Sequence, residues 1–413
     1  MNRPPRIGLL GPYASANLGD TSVQVAVMDT LKERLGPVRF LGISTNPADV
    51  ARTHGISAIA LSGEQPRIDP VGADGPETGM ASGDEGNGGS GFSPWLPRRL
   101  DSLRRIHRTT ASLDLLIISG SGQIDDFWGG AWGHPFRMLA WSASARRQRV
   151  PVAVLGVGVD ELHTRLGAWF SIRALHFAQF RAFRDKGSLD RLLGLGLKAP
   201  SMVCPDPAFG LKPPAPLPGS GSRPPYAIVS PIARDAWPGA EDGVYENYLH
   251  TLAKVSEHLL EKGLDLRFAC SQTRMDVPIV ERIKKKMTAA AAGKCLLEPI
   301  VSVEDYLRAA GPAEVVIASR LHAAILAFVA GAPVITLADT RKVRVLMQDM
   351  QLQEFSLDLR AAGPEAALAA IDAALSRREN IRKHIAGLQG RLRSDLASTY
   401  DQLLASVFPK KSQ

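Results

Sequence analysis

The chain has 413 residues, 49 Lys+Arg against 41 Asp+Glu and a 45% hydrophobic share, the composition of a globular protein of two or three domains. Its three cysteines, Cys204, Cys270 and Cys295, are scattered and lack C-x-x-C spacing, which excludes a disulfide framework and a cysteine-based zinc site. No apolar run approaches the roughly 18 residues of a spanning helix and no signal-peptide core follows Met1, so the expected location is cytoplasmic.

Strand-like apolar runs then alternate with helical stretches, the signature of parallel α/β sheets. The first strand, Arg6 to Gly11, passes through a loop ending at Asp20 into a helix, Thr21 to Leu35. In that loop Asn17, Gly19 and Asp20 either hydrogen-bond sugar hydroxyls or shape the turn and cap the helix. A strand at Val38 to Ile43 precedes Ser62 to Phe92, which has nine glycines, six acids and one base and no periodicity. That segment is expected to be a disordered surface insertion. Without it the chain holds 48 bases against 35 acids, a net +13, which favours anionic partners. Arg98, Arg99, Arg104, Arg105 and Arg108 follow, and Arg146, Arg147 and Arg149 come later. They are either solvated faces or a peripheral contact with an anionic membrane leaflet. No aromatic-interleaved basic motif points to nucleic acid.

The strand Leu113 to Ser119 ends in Gly120-Ser-Gly122-Gln-Ile-Asp-Asp126, whose small residues let backbone approach a ligand but which lacks the third glycine of a dinucleotide loop. Phe127, Trp128 and Trp132 either stack on a sugar or fill the core. A helix at Pro135 to Arg149 and strands at Val152 to Val157, Gln179 to Arg184 and Ser201 to Cys204 follow, with a helix at Gly187 to Leu195 between the last two strands. Arg184 either holds an anion or pairs with Asp185, and two prolines fix Asp206 rigidly.

Lys212 to Pro225 reads as a linker. Beyond it strands at Tyr226 to Ser230, Leu264 to Ala269, Cys295 to Pro299, Glu314 to Ala318 and Ala332 to Leu337 alternate with helices at Tyr245 to Lys262, Val277 to Met287, Val303 to Ala310, Arg320 to Ala330 and Arg341 to Met350. Ser319-Arg320-Leu321-His322 is the best local site. A strand, a turn and a helix start offer unpaired N–H groups and a positive dipole end to an oxyanion, beside a guanidinium fork and a proton donor. The alternative is an N-cap serine, a solvated arginine and a core histidine. The expected architecture is α/β with two Rossmann-like domains facing across a cleft: 1–211 as an acceptor domain, 212–225 as linker, 226–375 as a donor domain and 376–413 as terminal helices. There is no phosphate-binding G-x-x-x-x-G-K-[ST], no H-E-x-x-H and no G-x-S-x-G, which removes kinase, zinc protease and common hydrolase chemistries.

Taken in order, Asn17-Leu-Gly-Asp20, Gly120-Ser-Gly122 with Asp126, Gly156-Val-Gly158, Phe183-Arg-Asp185 with Ser188, Pro205-Asp206-Pro207 and Ser319-Arg-Leu-His322 form a set. With it the chain resembles the polysaccharide pyruvyl transferase family from about Gly8 to Leu359. Ser119-Gly-Ser-Gly122 departs from the longer glycine run common in members. The resemblance implies a GT-B-like fold, phosphoenolpyruvate as donor and a sugar hydroxyl pair as acceptor. The acceptor would be carried by a lipid-linked oligosaccharide, a nucleotide sugar or a polysaccharide, and the product would be a pyruvate ketal. It places Arg184, Ser319, Arg320, Leu321 and His322 at the donor, and Asn17, Gly19, Asp20, Gly120, Gly122 and Asp126 at the acceptor. His322 is the expected acid or phosphate-side proton donor, Arg320 the charge stabiliser, and Asp20 or Asp126 the group acting on the acceptor. No cofactor and no metal is expected. The rivals are a GT-B glycosyltransferase with a nucleotide-sugar donor and a catalytically silent sugar or nucleotide binder.

Overall fold

The computed structural model describes residues 3–11, 17–63, 95–120, 122–126, 129–159, 162–215, 224–236, 241–361 and 363–408. The expected insertion lies outside the described residues from 64 onward, as do 216–223 of the linker and Ser121, Phe127 and Trp128. The chain divides into two compact units, one of residues 1–14, 27–206 and 398–413, the other of residues 15–26 and 207–397.

The first unit is built on β1 (Arg6–Leu10), β2 (Arg39–Ser44), β3 (Ser57–Ala60), β4 (Leu115–Ser119), β5 (Val152–Val157), β6 (Phe180–Phe183) and β7 (Met202–Val203). All pair in parallel in the order 3-2-1-4-5-6-7. The central strands are apolar on both faces, as a sheet covered on both sides requires: Leu115 to Ile118 and Val152 to Leu155 are fully buried. Its crossovers are α1 (Leu18–Leu35), whose residues up to 26 are counted with the second unit, α2 (Pro47–His54), α3 (Trp95–Thr110), α4 (His134–Arg147), α5 (Arg165–His176) and α6 (Lys186–Gly194). Their starts are set by side-chain caps that satisfy otherwise unpaired N–H groups: Asn46 accepts from the Asp49 amide, Thr164 from Gly167 and Asp185 from Ser188.

The second unit repeats the plan with β8 (Tyr226–Ser230), β9 (Asp265–Phe268), β10 (Cys295–Leu297), β11 (Val315–Ala318), β12 (Val334–Ala338) and β13 (Ser356–Asp358), parallel throughout in the order 10-9-8-11-12-13. Around it lie α7 (Asp242–Glu261), α8 (Thr273–Lys284), α9 (Ala289–Ala292), α10 (Val303–Ala310), α11 (Leu321–Val329), α12 (Arg341–Asp349) and α13 (Pro364–Ser376). Ser302 and Asp305 form a reciprocal capping box at the start of α10. α14 (Arg378–Val407) closes the chain, and its Arg382 donates to the carbonyls of Gly311, Ala313 and Gly331.

The alternating pattern leaves several elements unmarked: α2, α3, α5, β3 and β13. β3 and β13 are only four and three residues long, too short for a two-residue period to stand out. The strand expected at Ser201 to Cys204 shrinks to two residues because Pro205 and Pro207 follow.

Candidate functional site

In a doubly wound sheet, ligands sit where the strand order reverses, beyond the carboxyl ends of the two strands there. In the second unit those strands are β8 and β11, and the loops that leave them hold a connected polar cluster. After β11, Arg320 is the N-cap residue of α11, in extended conformation (φ −107°, ψ 145°) and with no side-chain cap bond. The first amides of α11 thus receive no cap from the Arg320 side chain and lie at the positive end of the helix dipole. Ser319 does not cap the helix; its hydroxyl instead accepts a 2.8 Å bond from Tyr248 of α7. Tyr248 in turn accepts the Ile232 amide at 2.9 Å, and Tyr245 donates to the Ile232 carbonyl at 3.0 Å. Burial pushes the Tyr245 phenol up to about 12 and raises Tyr248 further in the same direction. Both stay protonated and act as fixed struts between α7 and the two loops.

The Arg320 fork is not aimed at open solvent. Its Nε and Nη2 each lie 2.7 Å from a carboxylate oxygen of Asp276 in the first turn of α8. Asp276 is fully buried and also accepts the Ala233 amide at 2.9 Å. One edge of the fork thus grips Asp276, and Nη1 lies outside this pair. Such a pair fixes the guanidinium rigidly and leaves its outer edge for an anion. Asp276 was not legible in sequence, since it lies 44 residues from Arg320 and nothing local marks it.

His322, buried in the first turn of α11, meets a segment from the other end of the chain. A Cβ added to Gly19 would lie 2.7 Å from His322 Nδ1 and 2.9 Å from its Cγ. Only a residue without a side chain lets the backbone lie against the imidazole. The segment is anchored by an antiparallel bridge between Asn17 and Gln272 and by the Leu18 amide on the Ser271 carbonyl at 2.9 Å. Asn17 Oδ1 accepts the Gly19 amide at 3.0 Å and its Nδ2 donates to Asp20 at 2.7 Å. Asn17, Gly19 and Asp20 therefore belong with Arg320 and His322 in the second unit, whereas they were expected in an N-terminal acceptor domain.

The other expected residues lie in the first unit. Gly120 has φ +125°, and a Cβ there would meet Gln123 Nε2 at 2.7 Å. Gln123 donates to the Leu10 carbonyl at 3.2 Å and to that of Ser119. It thus ties the carboxyl ends of β1 and β4 together, and its Oε1 accepts from His134 Nε2 at 3.1 Å. Gly122 occupies the turn just before Gln123. Burial, helped by the charge of Arg137, lowers His134 to about 4, so it is a neutral imidazole. Asp126 accepts from the amides of His163 and Thr164 at 2.7 and 2.8 Å and from the Thr164 hydroxyl. Burial raises its pKa, but these bonds outweigh it and hold the carboxyl below the usual range. Asp126 is thereby a clamp on the start of α5 and a poor base. Arg184 lies 3.7 Å from Asp185 and 3.8 Å from Asp206, while Asp185 and Ser188 cap α6. Trp132 is exposed, packing against Phe136 and Phe170.

The model of the polysaccharide pyruvyl transferase family matches residues 25–340. The chain belongs to this family. The matched stretch contains Gly120, Gly122, Asp126, Arg184 and Ser319 to His322, and starts after Asn17 to Asp20. Among curated protein sequences none matches the chain. Solved structures with a similar fold include MnaA of S. aureus in complex with UDP (TM-score 0.59, 12% identity, 99% of each chain covered) and the UDP-GlcNAc 2-epimerase of Neisseria meningitidis bound to UDP-GlcNAc (0.56, 10%, 96% of this chain and 100% of that one). Another is the trehalose 6-phosphate synthase of Burkholderia multivorans (0.54, 10%, 98% and 96%). At such identities the likeness is one of fold, and the fold is GT-B-like: two parallel Rossmann-type sheets with helices on their faces.

Proposed function

We propose that this family member is a phosphoenolpyruvate-dependent ketalase, moving the enolpyruvyl group onto a hydroxyl pair of a sugar in a polysaccharide or its precursor. The observation that carries the reading is the start of α11, where Arg320 is held by buried Asp276 and His322 lies against Gly19. A phosphate or carboxylate on the donor suits that helix start and the outer edge of Arg320. His322 delivers a proton to the donor's methylene carbon, and positive charge develops at the carbon bearing phosphate. A sugar hydroxyl attacks that carbon and gives up its proton, with Asp20 as the acceptor-side base. The carbon–oxygen bond to phosphate then breaks, phosphate departs, and the second hydroxyl closes the ketal while its proton passes to phosphate. One proton enters the methyl group and two leave the hydroxyls, so the steps balance.

Thermal unfolding of the protein and of Arg320→Ala, with phosphoenolpyruvate and with a panel of nucleotide sugars, tests the donor. A ligand at about 100 times its Kd stabilises by about 2.7 kcal/mol, a melting shift of a few degrees. The expected result is a shift with phosphoenolpyruvate that vanishes in Arg320→Ala. Stabilisation by nucleotide sugars alone, with no phosphate released from phosphoenolpyruvate in any acceptor mixture, would replace this reading by a glycosyltransferase.

A further inference from the structure

Three helices of the first unit carry a surface that the proposed chemistry does not use. α3, α4 and α5 contain five, three and two arginines against a single acid, Asp101. Amid this charge stand large apolar side chains in water: Trp132 is 48% exposed, Trp169 54%, Leu166 41% and Leu100 48%. The aromatic groups form one patch. Trp132 packs edge-on against Phe170 at a centroid distance of 5.2 Å, Phe170 lies 5.4 Å from Trp169, and the Arg99 guanidinium stands 4.6 Å from the Trp132 ring centre. Along α5, Arg165, Trp169 and Arg173 recur every fourth residue and are all exposed, so they share one face.

Exposed indoles among arginines, on three helices whose single acid is Asp101, match a particular kind of partner. Tryptophan settles at the headgroup level of a bilayer, and arginine is drawn to anionic headgroups. A second copy of this chain meeting the patch about a two-fold axis would set arginine against arginine, which like charges oppose. Among the described residues no helix is long and apolar enough to cross a membrane. We infer that the face formed by α3, the turn at Trp132 and α5 docks on a membrane rich in anionic phospholipid. The inference stands apart from the chemistry assigned to His322, because vesicle binding needs no turnover.

The test is co-sedimentation of the full chain with vesicles of phosphatidylcholine mixed with phosphatidylglycerol, beside vesicles of phosphatidylcholine alone. Binding to the mixed vesicles is expected to be at least about tenfold stronger and to weaken with added salt. Tryptophan emission should shift to shorter wavelength and be quenched by brominated acyl chains. Trp169→Ala and Arg165→Glu/Arg173→Glu are each expected to lose about tenfold in binding at unchanged melting temperature. Equal binding to both vesicle types, or binding indifferent to both variants, would overturn the inference. So would self-association that Trp169→Ala abolishes while the vesicles are ignored, since the face would then be a contact between copies.

Discussion

At the scale of single residues the proposed chemistry depends on two contacts that fix Arg320 and His322 from behind. Asp276 holds Arg320 through two 2.7 Å bonds and touches no proposed substrate atom, which makes it a positioning residue. Arg320→Ala is expected to lower kcat/KM by about 10²- to 10³-fold, the usual cost of a lost charge stabiliser. Asp276→Asn should cost about tenfold or more, and the double variant should be no worse than Arg320→Ala, because the two act as one unit. Steady-state kinetics across this cycle decide the point, and additive losses would show that Asp276 acts independently. Gly19→Ala is the second test: a methyl 2.7 Å from His322 Nδ1 must displace the ring. Turnover should fall at least about tenfold, since catalytic groups need placement within about 0.5 Å, while phosphoenolpyruvate still raises the melting temperature.

At the scale of elements, the family motifs divide into those that build the frame and those left to do chemistry. Asp126 clamps α5 and Asp185 caps α6. Asp126→Ala should therefore destabilise by about 1–2 kcal/mol or somewhat more, as lost caps and buried acceptors do. Enzyme that remains folded should keep its turnover, and a dead but fully stable variant would restore Asp126 as a base. The helix start at Ser319 to His322 was legible because strand, turn and apolar helix follow one another in the sequence. The partners of that start were not. Asp276, Tyr248 and Gly19 reach it through the tertiary fold, and no periodicity encodes contacts that span 44 to 303 residues. Likewise the sheets were readable from long apolar runs such as Leu115 to Ile118, whereas β13, at three residues, has no period to read.

At the scale of the whole molecule, buried titratable groups set how it responds to acid and to thiol reagents. His134 is held at about 4 by burial and by Arg137, while an unfolded imidazole titrates near 6.5. Between those values the unfolded chain takes up a proton that the folded chain refuses, so stability is complete above pH 6.5 and declines as pH falls toward 4. His54, lowered by burial against the opposing charge of Asp49, acts in the same sense. The His134 contribution alone amounts to about 3 kcal/mol. Thermal unfolding at pH 7 and 4.5 should show the loss, and His134→Gln, which can still donate to Gln123, should reduce it. An unchanged pH slope would place the linkage elsewhere. Cys204 and Cys270 are raised to about 12 by burial, and Cys295 is also buried and raised. Native protein should therefore resist alkylation at pH 8 and take up three equivalents once denatured; rapid labelling of the native form would show that the interior opens on the timescale of the assay.

Neither compact unit is continuous along the chain. The first includes residues 398–413, where Tyr400 packs beneath Arg34, and the second takes residues 15–26 from near the start. During synthesis the opening sheet emerges first, well ahead of the C-terminal helix residues that complete its unit. The first unit must therefore wait, with apolar surface uncovered, for some fifteen residues to arrive. A gene split between Asp206 and Pro207 would strand Asn17 to Asp20 on the wrong polypeptide, separating His322 from the glycine against which its ring lies.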